Sequence, residues 1–320
     1  MTLHYAFNGD ADGLCALQQL RLGDARPAEL VTGVKRDIAL VERVRAGAGD
    51  ECTVLDVSLD VNRAALVGLL ERGVRVRYFD HHFAGEVPQH ALLETHLDPS
   101  PVQCTSLLVD RALGGLHRPW AIAGAFGDNL AAEAQALAVQ AGFADSDVET
   151  LRALGVCLNY NAYGETLADL HIAPAELAEQ MLNHADPLEF ARASPTYARL
   201  AQGFREDMDR ARRLEPARRS PGALLFVLPE AAWARRASGV LANELITAHP
   251  RTALALLSPK HDGGFVVSVR VPRDASVGAD TFCRRFASGG GRRAAAGINH
   301  LPEAELERFA AEFEREFRVS

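Results

Sequence analysis

A chain of 320 residues, 48% of them hydrophobic, can fill the cores of two ordinary domains, and 34 basic against 42 acidic residues, a net charge of -8, exclude the basic excess that holds long duplex DNA. The five cysteines are scattered and never form a Cys-x-x-Cys pair, so neither a disulfide framework nor a zinc knuckle is expected. The chain opens directly into an apolar run at 3–7, and no uncharged run reaches the roughly 18 residues of a membrane span, so a cytoplasmic protein without a membrane partner is expected.

In chain order, strand-like runs at 3–7, 30–34, 53–57 and 74–79 alternate with helix-like segments at 14–22, 38–46 and 63–72. This is the pattern of a parallel sheet with crossover helices, in which ligands collect at the carboxyl ends of the strands. Asp10, Asp12, Asp56 and Asp80 all fall at or just after such ends, so residues far apart in sequence are expected on one rim. From about 101 to 183 the reading is mainly helical, at 104–113, 121–142, 147–154 and 174–182, with a polar aromatic stretch, Asn159-Tyr160-Asn161-Ala162-Tyr163-Gly164, between helices.

A charged stretch with a helix-like middle at 197–214 and a Pro-Ala-Arg-Arg-Ser-Pro exit marks a domain connection. The expected division is a domain at 1–187, a largely helical linker at 188–221 and a smaller α/β domain at 222–320. In the last, strands are expected at 224–228, 252–257 and 265–271 and helices at 231–247, 280–286 and 303–317, interrupted by Ser288-Gly289-Gly290-Gly291.

The chemistry lies in the acidic and imidazole clusters. Alone, Asp-x-Asp-Gly at 10–13 reads as a turn and a helix cap, the loop pair His81 and His82 as solvated groups, and Asp128 as a helix N-cap. Together the clusters carry more weight, because hard divalent cations want oxygen ligands. Gly13 is expected to let the chain turn into a helix. Asp56 ends an apolar run, an awkward place for a charge without a cation, and is expected to bridge two metals. In Asp80-His81-His82, one imidazole can bind metal while an aspartate accepts the other ring proton. Carboxylates with one histidine suit Mn²⁺, with Mg²⁺ as a substitute, better than Zn²⁺, and two such ions suit phosphoester hydrolysis.

In the second domain, Gly289, Gly290 and Gly291 allow close backbone approach to a ligand. Arg292 and Arg293 are expected at the start of a following helix, where an anion would offset their charge. Arg270 is a further basic candidate, or a solvated strand residue.

The order Asp-x-Asp-Gly, lone Asp, Asp-His-His, Asp and a Gly-Gly-Gly segment resembles the DHH phosphoesterase family over nearly the whole chain. The resemblance implies a parallel-sheet catalytic domain with a helical extension, joined by a linker to a smaller α/β substrate-binding domain. It implies that Asp12, Asp56, His81 and Asp128 hold one metal and Asp10 and Asp56 the other, that His82 faces the scissile phosphate, and that Asp80 orients the histidines. Arg270, Gly289, Gly290, Gly291, Arg292 and Arg293 would grip one end of the substrate across a cleft between domains. Two departures stand out: no histidine precedes Asp10, where Ala6, Phe7 and Asn8 lie, and Arg292 replaces the histidine that commonly ends the glycine motif.

The expected activity is Mn²⁺-dependent hydrolysis of short 5′-phosphorylated oligonucleotides such as linear dinucleotides, or of nucleotide bisphosphates. A single-strand exonuclease is the alternative enzyme, disfavoured by the acidic charge and by Tyr160 and Tyr163 being the only candidate stacking aromatics. A catalytically decayed nucleotide-binding regulator is the alternative from another class. Monomer and homodimer both stay open.

Overall fold

The structure, a computed structural model, describes residues 1–318. The chain forms two units, Met1–Gly203 and the residues from Phe204 on. The division falls inside the stretch 188–221 that the sequence set apart as a linker.

The first unit begins β1 (Leu3–Phe7), α1 (Ala11–Gly23), β2 (Ala28–Val31), β3 (Glu51–Leu55), α2 (Leu59–Glu71), β4 (Arg75–Asp80) and β5 (Leu93–Leu97). All five strands are parallel, in the order β2-β1-β3-β4-β5. Phe7 pairs with Leu55 and Leu55 with Phe79, so Asn8, Asp56 and Asp80 leave three adjacent strands at one level. Alternation explains the burial of both faces: Leu3, Tyr5 and Phe7 join one core, while Ala6, Val54, Val76 and Tyr78 join another with α2.

The expected helix at 38–46 is absent; only a short 3-10 turn forms at Val41–Arg43. The Asn62 side chain supplies hydrogen bonds in its place, accepting from the Val41 N–H at 3.1 Å and donating to the Ile38 carbonyl at 2.7 Å. The edge strand β5 went unforeseen because Leu-Glu-Thr-His-Leu is half polar.

Seven helices follow: α3 (Thr105–Ala112), α4 (Arg118–Gly127), α5 (Ala131–Gln140), α6 (Asp145–Asn161), α7 (Pro174–Leu182), α8 (Pro187–Ala193) and α9 (Pro195–Ala211), the last running from the first unit into the second. The single helix expected at 121–142 is broken at Asp128–Leu130, where Asn129 has φ 63°. Asn159–Asn161 are the last turn of α6 rather than a loop.

The second unit adds β6 (Arg218–Ser220), β7 (Ala223–Val227), α10 (Ala232–Ala248), β8 (Ala253–Pro259), β9 (Phe265–Arg270), α11 (Ala279–Cys283), β10 (Gly289–Gly291), β11 (Ala295–Leu301) and α12 (Leu306–Glu316). Its mixed sheet has the order β10-β11-β9-β8-β7-β6. One face packs on Phe282, Phe309 and Phe313, the other on α10 and the end of α9. Among the described residues no helix is long and apolar enough to cross a membrane.

Candidate metal centre

The site is built where β1, β3 and β4 end. Asp10 caps α1, its Oδ1 accepting the N–H groups of Asp12 at 3.1 Å and Gly13 at 3.2 Å. Gly13 is helical, and its glycine identity has a different reason from the turn expected: a Cβ there would lie 2.1 Å from the Asn8 carbonyl oxygen. Asp12, in the first turn of α1, accepts backbone N–H bonds from Thr105 and Ser106, each at 2.7 Å. The start of α3 thus donates to both oxygens of Asp12, and one lone pair on each stays available.

Asp56 follows β3 with φ 59°, a conformation that costs a non-glycine residue on the order of 1–3 kcal/mol. Full burial of flanking Leu55 or Val57 offsets that amount, at about 1.5–3 kcal/mol each. Its Oδ1 accepts from Thr105 Oγ1 at 3.2 Å. Asp128 caps the C-terminal end of α4 instead of the N-terminus of a helix. That helix crosses α1 so closely that a Cβ on Gly127 would lie 2.3 Å from Ala11 Cβ.

His81 is the hub. Its Nε2 lies 3.5 Å from Asp56 Oδ1, 3.8 Å from Asp128 Oδ2 and 3.9 Å from Asp12 Oδ2. Among the described residues two groups have metal-holding spacing, Asp12-His81-Asp128 and Asp56-His81-His82. Asp10 belongs to neither. Burial, then the charges of Asp12, Asp10 and Asp128, holds the Asp56 carboxyl well above its ordinary range, and burial with Asp12 pushes Asp128 up to about 6. Carboxylates gathered against such repulsion fit a divalent cation, which would favour their ionised forms.

His82 sits at the edge of that hub: its Nδ1 is 2.7 Å from Asp80 Oδ1 and 3.9 Å from Asp56 Oδ1. Burial opposes protonation of this ring, but the Asp80 hydrogen bond and the neighbouring carboxylates prevail and raise its pKa. Two thiols, Cys15 and Cys104, stand in the wall of the site, held well above their ordinary range by burial and then by Asp12.

Lys35 was not read from the sequence. Its Nζ meets Asp10 Oδ2 and donates to Asn159 Oδ1 at 3.1 Å. Burial would lower this lysine, yet Asp10 holds it well above its ordinary value, and in return Lys35 keeps Asp10 low against the effect of burial. Phe83 was also missed; it is 74% exposed, directly after His82. The signal was an aromatic residue in a polar loop. Tyr160, by contrast, is fully buried, with its hydroxyl 2.8 Å from His171 Nε2, and offers no stacking surface.

In the second unit the expected helix after the glycines does not form. Gly289–Gly291 pair antiparallel with β11, and Arg292 and Ala295 exchange backbone bonds of 2.9 and 3.1 Å in a tight hairpin. Long-range pairing with β11 prevails over any local helix tendency. Gly289 is needed because a Cβ would sit 1.8 Å from the Cys283 carbonyl oxygen, whereas a Cβ on Gly290 would meet open space. Arg292 and Arg293 are exposed, and Arg293 donates to the Ala275 carbonyl at 2.8 Å. Arg270 is in register with Ala295 and donates to Ser268 Oγ at 2.9 Å.

The sequence matches no protein-family model and no curated protein. Solved structures do match. The exonuclease RecJ bound to manganese aligns with a TM-score of 0.61 at 21% identity, over 98% of this chain and 89% of that one. RecJ in complex with Mn²⁺ from Thermus thermophilus gives 0.65 at 22% identity over 98% of this chain, which spans about half, 51%, of that protein. The pGpG-specific phosphodiesterase PggH from Vibrio cholerae gives 0.58 at 13% identity, over 99% of this chain and 100% of that one. The chain has the fold of these proteins, in agreement with the DHH resemblance of its motifs.

Proposed function

We propose that this chain is a metal-dependent phosphoesterase of the DHH type that hydrolyses short 5′-phosphorylated oligonucleotides, linear dinucleotides among them. The observation that carries this reading is the convergence of Asp12, Asp56 and Asp128 on His81 Nε2. Those four residues would hold Mn²⁺ or Mg²⁺, which when bound supplies Lewis-acid charge for a phosphoryl oxygen. The likeness to RecJ and to PggH, an exonuclease and a phosphodiesterase by name, supports the reaction class.

The chain's own groups do the rest. His82, its pKa raised by the bond to Asp80 against the effect of burial, would in its protonated form donate a charge-assisted hydrogen bond to a phosphate oxygen and give its proton to the leaving oxygen. Phe83 offers an exposed ring on which a base can stack. In the second unit, the open backbone at Gly290 and exposed Arg292 and Arg293 suit an anionic group. The RecJ likeness favours an exonuclease as a second reading; for one acting on single strands, the net charge of -8 and buried Tyr160 count against it.

The test is incubation with Mn²⁺ and a panel of linear 5′-phosphorylated dinucleotides, longer oligomers, cyclic dinucleotides, adenosine bisphosphate and pyrophosphate. Release of mononucleotides selectively from dinucleotides is the expected result. Preference for long single strands would establish the exonuclease, and nucleotide binding without any turnover a decayed regulator.

A further inference from the structure

The loop after β2 carries a fixed cation into the carboxylate cluster. The Lys35 N–H donates to the Ala162 carbonyl at 2.9 Å, and its own carbonyl accepts from Asn8 Nδ2 at 3.2 Å, so the backbone is tied on both sides. From there the ammonium reaches Asp10 Oδ2 and Asn159 Oδ1 and lies 5.6 Å from the centre of the Tyr163 ring. A solvated surface lysine has no such set of anchors.

Asp10 is thereby more heavily engaged than Asp12: Oδ1 accepts two backbone N–H groups and Oδ2 the ammonium, which leaves one lone pair, on Oδ2 beside the cation. A divalent ion placed on Asp10 would also meet the like charge of Lys35 at close range. The nearest side chains do not make up for this: the Asn8 amide is engaged by the Lys35 carbonyl and the Asp10 N–H, and the second group with metal-holding spacing, Asp56-His81-His82, shares Asp56 and His81 with the first centre and leaves Asp10 out. Around His81 Nε2, in contrast, three carboxylates converge; the Lys35 charge reaches Asp56 and Asp128 there, but its ammonium hydrogen-bonds Asp10 and Asn159.

We propose that the centre takes one divalent cation, on Asp12, Asp56, His81 and Asp128, and that the Lys35 ammonium permanently supplies the charge a second ion would bring beside Asp10. The inference rests on the metal-dependent reading above, and departs from the two-ion centre expected from the sequence.

Metal-free full-length chain is titrated with Mn²⁺, bound metal is counted after dialysis, and the spin state is read by electron paramagnetic resonance. One Mn²⁺ per chain with an uncoupled six-line spectrum is expected, kept in Lys35→Arg and rising to two coupled ions in Lys35→Ala. Two coupled ions in the unsubstituted chain overturn the proposal, whether or not either variant folds. One ion in a folded Lys35→Ala removes the lysine from the explanation. No bound ion at all overturns the metal-dependent reading itself, and the proposal with it.

Discussion

His82 Nδ1 lies 2.7 Å from Asp80 Oδ1, and Asp80 is completely buried. The carboxylate fixes which ring nitrogen faces outward and, against the effect of burial, raises the pKa of the ring. Asp80→Asn is expected to lower kcat about 10–100-fold with little change in KM. If His82 gives up its proton as proposed, the alkaline fall of kcat should also move to lower pH. A pH–rate profile of the two proteins decides it; an unmoved alkaline limb would remove His82 as the proton donor.

Asp56 combines strain with like-charge repulsion, and Asn tolerates the same left-handed backbone. Asp56→Asn should therefore abolish Mn²⁺-dependent turnover while raising the metal-free Tm by about 2–4 °C, the shift that ~1 kcal/mol produces in a domain of this size. Melting curves and turnover on the same preparation test both halves. Retained hydrolysis would displace the assigned centre.

Asp128 gives the pH dependence. Its carboxyl titrates near 6 in the folded chain and near its ordinary 3.8 when unfolded, so between those values the folded state binds more protons. Its contribution to stability is present at low pH and is lost as pH rises through about 6. Metal-free protein should lose this contribution between about pH 4 and 6.5 while Asp128→Asn does not, and Mn²⁺ should bind more weakly below about pH 6. Melts with and without Mn²⁺ across that window report both effects.

Neighbouring glycines separate fold from binding. Gly289→Ala would drive a methyl into the Cys283 carbonyl and is expected to destabilise by about 1–3 kcal/mol. Gly290→Ala meets open space, so its stability should stay within about 0.5 kcal/mol while KM for a dinucleotide rises. Equal KM values for Gly290→Ala and the unsubstituted chain would remove this hairpin from substrate binding.

Periodicity carried the reading furthest where one element decides its own state. The apolar run at 3–7 is β1 residue for residue, and 174–182 is α7. Asp10, Asp56 and Asp80 could be brought together on paper because parallel strands end on one side. Contacts between distant segments were not legible. Lys35 gains its meaning only from Asp10 and Asn159, far away in sequence, and the segment 38–46 loses its helix to a side chain on α2. The glycine run looked like a helix entry because its partner strand, β11, comes after it.

The thiols of Cys15 and Cys104 lie near Asp12 of the candidate metal centre, and burial and then Asp12 hold them well above their ordinary range. A thiol that keeps its proton is a poor nucleophile. The carboxylates that would attract a hard cation therefore also disarm the sulfur beside it. Asp12 thus acts in two opposite ways on its surroundings: it would draw in a cation, and it slows attack by the sulfurs near it.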